Sequence, residues 1–240
     1  MGLSPTFFFA TAFNVPLILC LYFLVLQPRP ADTTETSGFV KRMIDGGTIA
    51  LKTPLISSTL ILVSLNSFFV RGILEIQPAI VGQIMGGKSY DLAIVTAAAG
   101  LGSLLASAWI GLGKLEQSHI QKYLWPMLVT GIVASALLHL FVDLTPVSLI
   151  FIVTGFTATI VGIGAQTLIQ LEVQESYRAR VMTWWSTISF GSLFLGGTMA
   201  GLLGDIVGMN HSILFMMLAA GALALFVLPR IKALTSSNPV

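Results

Sequence analysis

Apolar residues recur along most of the chain in unbroken runs of about twenty positions. A run of that length is what an α-helix needs to cross roughly 30 Å of hydrocarbon at about 1.5 Å per residue. A spanning β-strand would instead alternate apolar and polar positions over about ten residues. The pattern therefore predicts an all-α membrane protein of about seven transmembrane helices, at residues 7–26, 56–82, 91–112, 122–142, 147–170, 181–204 and 210–229. The later connectors are short and carry turn or breaker residues: Gly86 with Gly87, Gly111 with Gly113, Pro126, Asp143 with Pro146, and Gly204 with Gly208.

Only residues 27–55 form a long polar stretch. Its first part, Gln-Pro-Arg-Pro followed by Ala-Asp-Thr-Thr-Glu-Thr-Ser-Gly, reads as a linker. Its second part turns apolar and basic through Val40, Lys41, Arg42, Met43 and Ile44, a pattern suited to a short amphipathic helix on the membrane surface. The organisation expected is one helix over residues 1–26, a loop over 27–55, a six-helix bundle over 56–232 and a tail over 233–240. The first run reads as a span and not as a secretory signal. Residues 1–6 hold no Lys or Arg, and Leu19 stands before Cys20 where a lipoprotein signal needs a small residue.

Composition agrees with the pattern. Charged residues are 9% of the chain and the mean hydropathy is +0.90. Soluble domains carry about a quarter charged residues, so this chain cannot clothe a water-facing surface. The placement of the basic residues sets an orientation. With the connectors numbered alternately, Arg29, Lys41, Arg42, Lys52, Lys114, Lys122, Arg178, Arg180, Arg230 and Lys232 fall on one side. Lys88 falls on the other, and Arg71 lies inside a span. The expected topology has the N-terminus outside and the C-terminus in the cytoplasm.

Several chemistries are excluded at this level. The lone Cys20 rules out an internal disulfide and a cysteine-rich metal site. His119, His139 and His211 fall in a cytoplasmic connector, a span and an outer connector, and are expected on different sides, unable to share one zinc. Neither a G-x-S-x-G elbow nor a Walker A motif is present. The scattered Lys and Arg residues form no nucleic-acid-binding stripe. The expectation is a non-enzyme with no cofactor and no metal, whose surroundings are the lipid bilayer.

Helices in lipid associate through close packing at small residues. Ala99, Ser103, Ser107 and Gly111 recur every fourth position, and Gly197 with Gly201 repeats the device; both read as packing ridges. Gly155, Ala158, Gly162, Gln166 and Gln170 lie near one helix face. The two glutamines need partners on another helix or a water-filled cavity.

The sharpest chemical feature is Arg71 with Glu75, four apart inside one span. Ser57, Ser64, Arg71 and Pro78 recur every seven residues, with Ser67 close to the same stripe. Arg71 stands about fifteen residues, or roughly 22 Å, from the cytoplasmic end of its span. An arginine at mid-span costs on the order of 3 kcal/mol on insertion scales, so the stripe should face the bundle interior or an aqueous path. Two readings stand: a local Arg71–Glu75 ion pair near the outer rim, or the lining of a transport path or gate. Glu75 is the candidate for a proton-coupling role.

Residues 170–182, Gln-Leu-Glu-Val-Gln-Glu-Ser-Tyr-Arg-Ala-Arg-Val-Met, resemble the connector before the eleventh helix of major facilitator superfamily transporters. The likeness is to the branch of drug and secretion effectors that includes the enterobactin exporter. It continues through Gly191-Ser192, Gly196-Gly197 and Ala200-Gly201. Arg71 with Pro78 resembles the seventh helix of that branch, and Gly111-Leu-Gly-Lys114 a reduced copy of the loop between helices eight and nine. Gln174 and Ala179 depart from the branch's Pro and Gly.

The resemblance implies helices six to twelve of a twelve-helix fold and alternating-access secondary transport. It further implies proton-driven efflux of a small molecule across a bacterial inner membrane, with an N-terminal half as the missing partner. Glu172, Glu175, Arg178 and Arg180 would then form ion pairs that rearrange between conformations, while the two arginines favour anionic headgroups. The competing reading is an inactive remnant, or a scaffold that binds a partner through its exposed helix faces.

Overall fold

In an apolar solvent a peptide group is best satisfied by its own helix. The chain follows that demand. The computed structural model describes residues 11–12, 14–23, 39–112 and 117–236, and the chain divides into two compact units, Met1–Gly38 and Phe39–Val240. In the first unit the described residues form helix α1, Val15–Phe23, which is apolar throughout. The rest of the expected span at 7–26 lies largely outside the described residues, as do 27–38 of the expected linker.

The second unit opens with α2, Phe39–Lys52, in the stretch whose pattern suits an amphipathic helix. Next comes α3, which begins as the α-helix Pro54–Leu65, widens into a π-helix over Asn66–Arg71 and closes as the short helix Gly72–Glu75. A short helical turn, Gln77–Ala79, and a wider π-helical turn, Ile80–Ile84, lead into α4, Ser89–Gly111. Helix α5, Gln117–Leu137, ends in a 3-10 turn at Leu138–Leu140. Helices α6, Leu144–Glu172, α7, Glu175–Val207, and α8, Met209–Ser236, complete the bundle. Among the described residues six helices are long and apolar enough to cross a membrane, as suits a multi-pass membrane protein.

Two boundaries differ from expectation for covalent reasons. The span expected at 56–82 stops at Glu75, because Pro78 has no N–H to return to Leu74 and the backbone breaks at Ile76 (φ −96°, ψ 16°). Conversely, Pro126 ends nothing. It lies inside α5, where one missing hydrogen bond is tolerated by a helix held on its neighbours. Gly208, with φ +86°, makes the reversal between α7 and α8 that an L side chain would strain.

Helices α3 and α6 form the centre. Their apolar windows are 72% and 56% buried, against 17% for α7. Helix α6 packs against α4, α5 and α3, while α3 also meets α7 and α8. Phe151, Val161 and Ala165 of α6 and Val70 and Ile73 of the α3 span are fully enclosed. Helix α2 docks on α7 through two glycines: an added Cβ would lie 2.8 Å from Arg180 Cβ at Gly46 and 3.0 Å from the Trp184 indole at Gly47.

The packing ridges use small residues, but not all those expected. On α4 the buried face is Val95, Ala99, Gly102 and Ala106; Ser103 is half-buried, and Ser107 and Gly111 are exposed. At 3.6 residues per turn a four-residue repeat drifts by about 40° per step, so over the three steps from Ala99 to Gly111 it winds about 120° away from the face on which it starts. The α4–α6 crossing pairs Gly102 with the Ile152 carbonyl and Gly155 with the Ala99 carbonyl. On α7 the ridge is Gly196, Ala200 and Gly204, one residue out of phase with the expected Gly197 and Gly201. Gly196 lies against the Phe68 carbonyl, whereas a Cβ on Gly201 would meet nothing within 4 Å.

Gly196→Ala is expected to cost about 1–3 kcal/mol through overpacking. Gly201→Ala is expected to be neutral or to stabilise by up to about 1 kcal/mol. Unfolding titrations in mixed detergent distinguish the two, and equal losses would put the α3–α7 contact on the wrong ridge.

Candidate functional site

A π-helical turn carries one more residue than an α turn, and such turns concentrate at functional positions. In α3 the wide stretch brings three polar side chains into an otherwise apolar interior. Asn66 is 1% exposed and donates from Nδ2 to the Ala158 carbonyl of α6 at 3.3 Å. Its Oδ1 is buried without a partner among the described residues. Ser67, also 1% exposed, pairs its hydroxyl with that of Ser189 on α7 at 3.2 Å. Half-buried Arg71 donates from Nη1 to the same Ser189 oxygen at 3.4 Å.

Backbone proximity makes this network possible. An added Cβ on Gly72 would stand 3.1 Å from the Gly196 carbonyl carbon and 3.2 Å from the Gly197 nitrogen. With so little between the helices, two serine hydroxyls reach each other without long side chains. Glu75 is exposed beside Gly197, whose added Cβ would lie 3.5 Å from the Glu75 Cβ, and its charge acts on the Arg71 guanidinium. The direct hydrogen bond of Arg71 crosses to Ser189 on α7.

The seven-residue stripe divides in two. Ser57 and Ser64 donate to their own helix, at the Pro54 and Leu60 carbonyls. Ser67 and Arg71 lie within the π stretch Asn66–Arg71, whose altered phase turns them across to α7. Gln166 and Gln170 are half-buried on α6, about 12 and 18 Å beyond Ala158 along the axis at 1.5 Å per residue. Of their expected face, Gly155 and Ala158 are buried, and Gly162 has open space beside it.

Glu172 closes α6 and Glu175 opens α7; both are exposed, as is Arg178. Arg180 is half-buried, its guanidinium 5.4 Å from the centre of the Tyr177 ring. This corner rests on a small apolar cluster of Ala50, Ile56, Leu60, Ile169, Val173 and Val181, which joins α2 to the α6–α7 connector.

Residues that pattern reading passed over carry much of the interior polarity. Ser189 is one of several hydroxyl residues in its run, beside Thr183, Ser186, Thr187 and Ser192, and nothing in the sequence singles it out. Asn66, an amide in mid-span, was detectable by the cost of burying it. Gln77 accepts a 2.9 Å hydrogen bond from the Thr96 hydroxyl and so pins the turn after α3 to α4.

The expectation that the three histidines lie on different sides is corrected for one pair of them. His119 lies in the first turn of α5, His139 in the 3-10 turn at that helix's other end and His211 in the first turn of α8. The last two meet, with ring centres 6.1 Å apart, because the end of α5 and the start of α8 pack together on one face of the bundle. Compared with known proteins, the chain matches no protein-family model and no curated protein.

Ser189→Ala removes the partner of both Ser67 and Arg71 and is expected to cost about 1 kcal/mol. Ser64→Ala, which deletes only a bond to its own helix, is expected to fall within about 0.5 kcal/mol of wild type. Detergent unfolding of the two variants reads the difference, and equal costs would deny the network any special weight.

Proposed function

We propose that this bundle is part of a secondary active transporter of the major facilitator type, exporting a small molecule with proton coupling and completed by an N-terminal half. The observation that carries this reading is the Ser67–Ser189–Arg71 chain, buried where two apolar spans cross. A polar chain in that position is expensive unless it serves a path or a moving contact. Three further features support it. The π-helical stretch offers a local backbone that can tighten or widen. Asn66 Oδ1 supplies an unpaired acceptor for an alternative arrangement. The 170–182 connector and the glycines after it resemble that superfamily.

In this reading Arg71 and Ser189 form a contact between α3 and α7 that changes during transport. Glu75, exposed beside it, is the acidic group that exchanges a proton. The glutamines of α6 face the aqueous path, and the charged α6–α7 connector lies at the cytoplasmic surface.

The test is transport by the chain reconstituted into liposomes with an N-terminal half of about five helices, as the resemblance implies. An imposed proton gradient is expected to drive a fluorescent lipophilic dye across the membrane. Arg71→Ala should slow this by roughly tenfold or more, equivalent to about 1.4 kcal/mol of barrier. Ser57→Ala should leave it unchanged, and Glu75→Gln should abolish the response to the gradient. Gradient-independent dye movement in the wild type would instead favour an inactive bundle or scaffold.

A further inference from the structure

The His139–His211 pair belongs neither to the polar crossing nor to the connector. His139 Nδ1 lies 3.1 Å from Asn210 Oδ1 and 3.4 Å from the Asn210 carbonyl oxygen. Both neighbours are acceptors, so Nδ1 must carry the proton and donate. The lone pair then resides on Nε2. A histidine whose Nδ1–H is held by an oxygen while Nε2 stays free is in the tautomer and orientation that metal-ligating histidines adopt. Asn210 is thus the positioning residue for His139.

His211 follows Asn210 in the chain and is exposed. Its ring centre is 6.1 Å from that of His139, with the planes at 60°. Two metal–nitrogen bonds of about 2.0–2.1 Å can bridge nitrogens up to roughly 4 Å apart. The ring centres stand farther apart than that, so the site requires a rotation of the exposed His211 side chain that brings a ring nitrogen toward His139 Nε2.

The supports beneath both rings are firm. Leu138, next to His139, is 1% exposed. The first turn of α8 is tied to α7 by the buried Ser212 hydroxyl, which donates to the Ala200 carbonyl at 2.7 Å. Gly208 sets the chain reversal that delivers His211.

We propose that His139 and His211 form a two-histidine site for a divalent first-row transition ion, with water completing the coordination. Imidazole pairs suit copper, nickel and zinc, and copper(II) binds most tightly in that series. The site lies on the membrane face opposite the basic connectors, away from the α3–α7 crossing, and its existence does not depend on transport.

The experiment uses the full chain without a polyhistidine tag, in detergent, titrated with copper(II) and followed by electron paramagnetic resonance. The expected result is one saturable ion per chain with coupling to two nitrogens, which only a large excess of zinc(II) displaces. His139→Ala and His211→Ala should each remove one nitrogen from the spectrum and weaken binding by roughly tenfold or more. Asn210→Ala should keep both nitrogens but weaken binding by about 10–100-fold, the effect of losing an outer-shell orienting bond. His119→Ala, at the far end of α5, should change nothing. Circular dichroism checks that each variant keeps its helix content. Absence of saturable binding, or a two-nitrogen spectrum that survives His139→Ala or His211→Ala, overturns the proposal.

Discussion

Where α3 crosses α7, Gly72 faces Gly196 and the two backbones come together with almost no side chain between them. Much of the interior depends on that contact. Lipid supplies no hydrophobic drive to press helices together, so close backbone packing and a few polar bonds must do it. At this crossing the two act together. The close approach puts Ser67 within reach of Ser189, and Ser189 in turn receives Arg71. A wider crossing would leave a guanidinium and two hydroxyls facing apolar side chains. The same logic operates between α4 and α6, where Gly102 and Gly155 each lie against the other helix's backbone and the Ser103 hydroxyl bridges to the Gly155 carbonyl at 3.4 Å.

The π-helical stretch gives the crossing its chemistry. An ordinary α-helix through Asn66–Arg71 would rotate the residues that follow away from their present faces. The extra residue in the turn keeps Asn66 on α6 and Ser67 and Arg71 on α7 at once. The cost is a weaker backbone ladder, offset by the side-chain bonds to two neighbouring helices. The arrangement therefore combines the most enclosed span of the bundle with its least regular backbone. A second π turn, Ile80–Ile84, follows the break at Ile76, so the whole exit from α3 is irregular up to Gly87.

The most exposed spanning helix, α7, also bears one side of the polar crossing. Its outward face carries Phe190, Phe194, Leu195, Met199, Leu202 and Ile206, which are suited to an apolar neighbour. Its inward face carries Ser189, Gly196, Ala200 and Gly204. One helix thus serves as both outer wall and contact surface. That is economical in lipid, because exposed leucine and phenylalanine cost nothing there.

Amino-acid order alone determined the helical class, the number and approximate position of the long spans from 56 onward, and the presence of a short helix before them. These follow from run length, proline chemistry and backbone satisfaction, which are local. It also set the expectation that Arg71 turns away from lipid. What it left open was phase. Gly197 and Gly201 satisfy the small-residue rule as well as Gly196, Ala200 and Gly204 do, and only the neighbouring helix decides which set is used. Ser57 and Ser64 looked equivalent to Ser67 until the π turn separated them. The meeting of His139 with His211 depends on which helix ends pack together, a relation between residues some seventy positions apart. Periodicity is a property of one helix, whereas contact is a property of two, and so tertiary structure alone chose the partners.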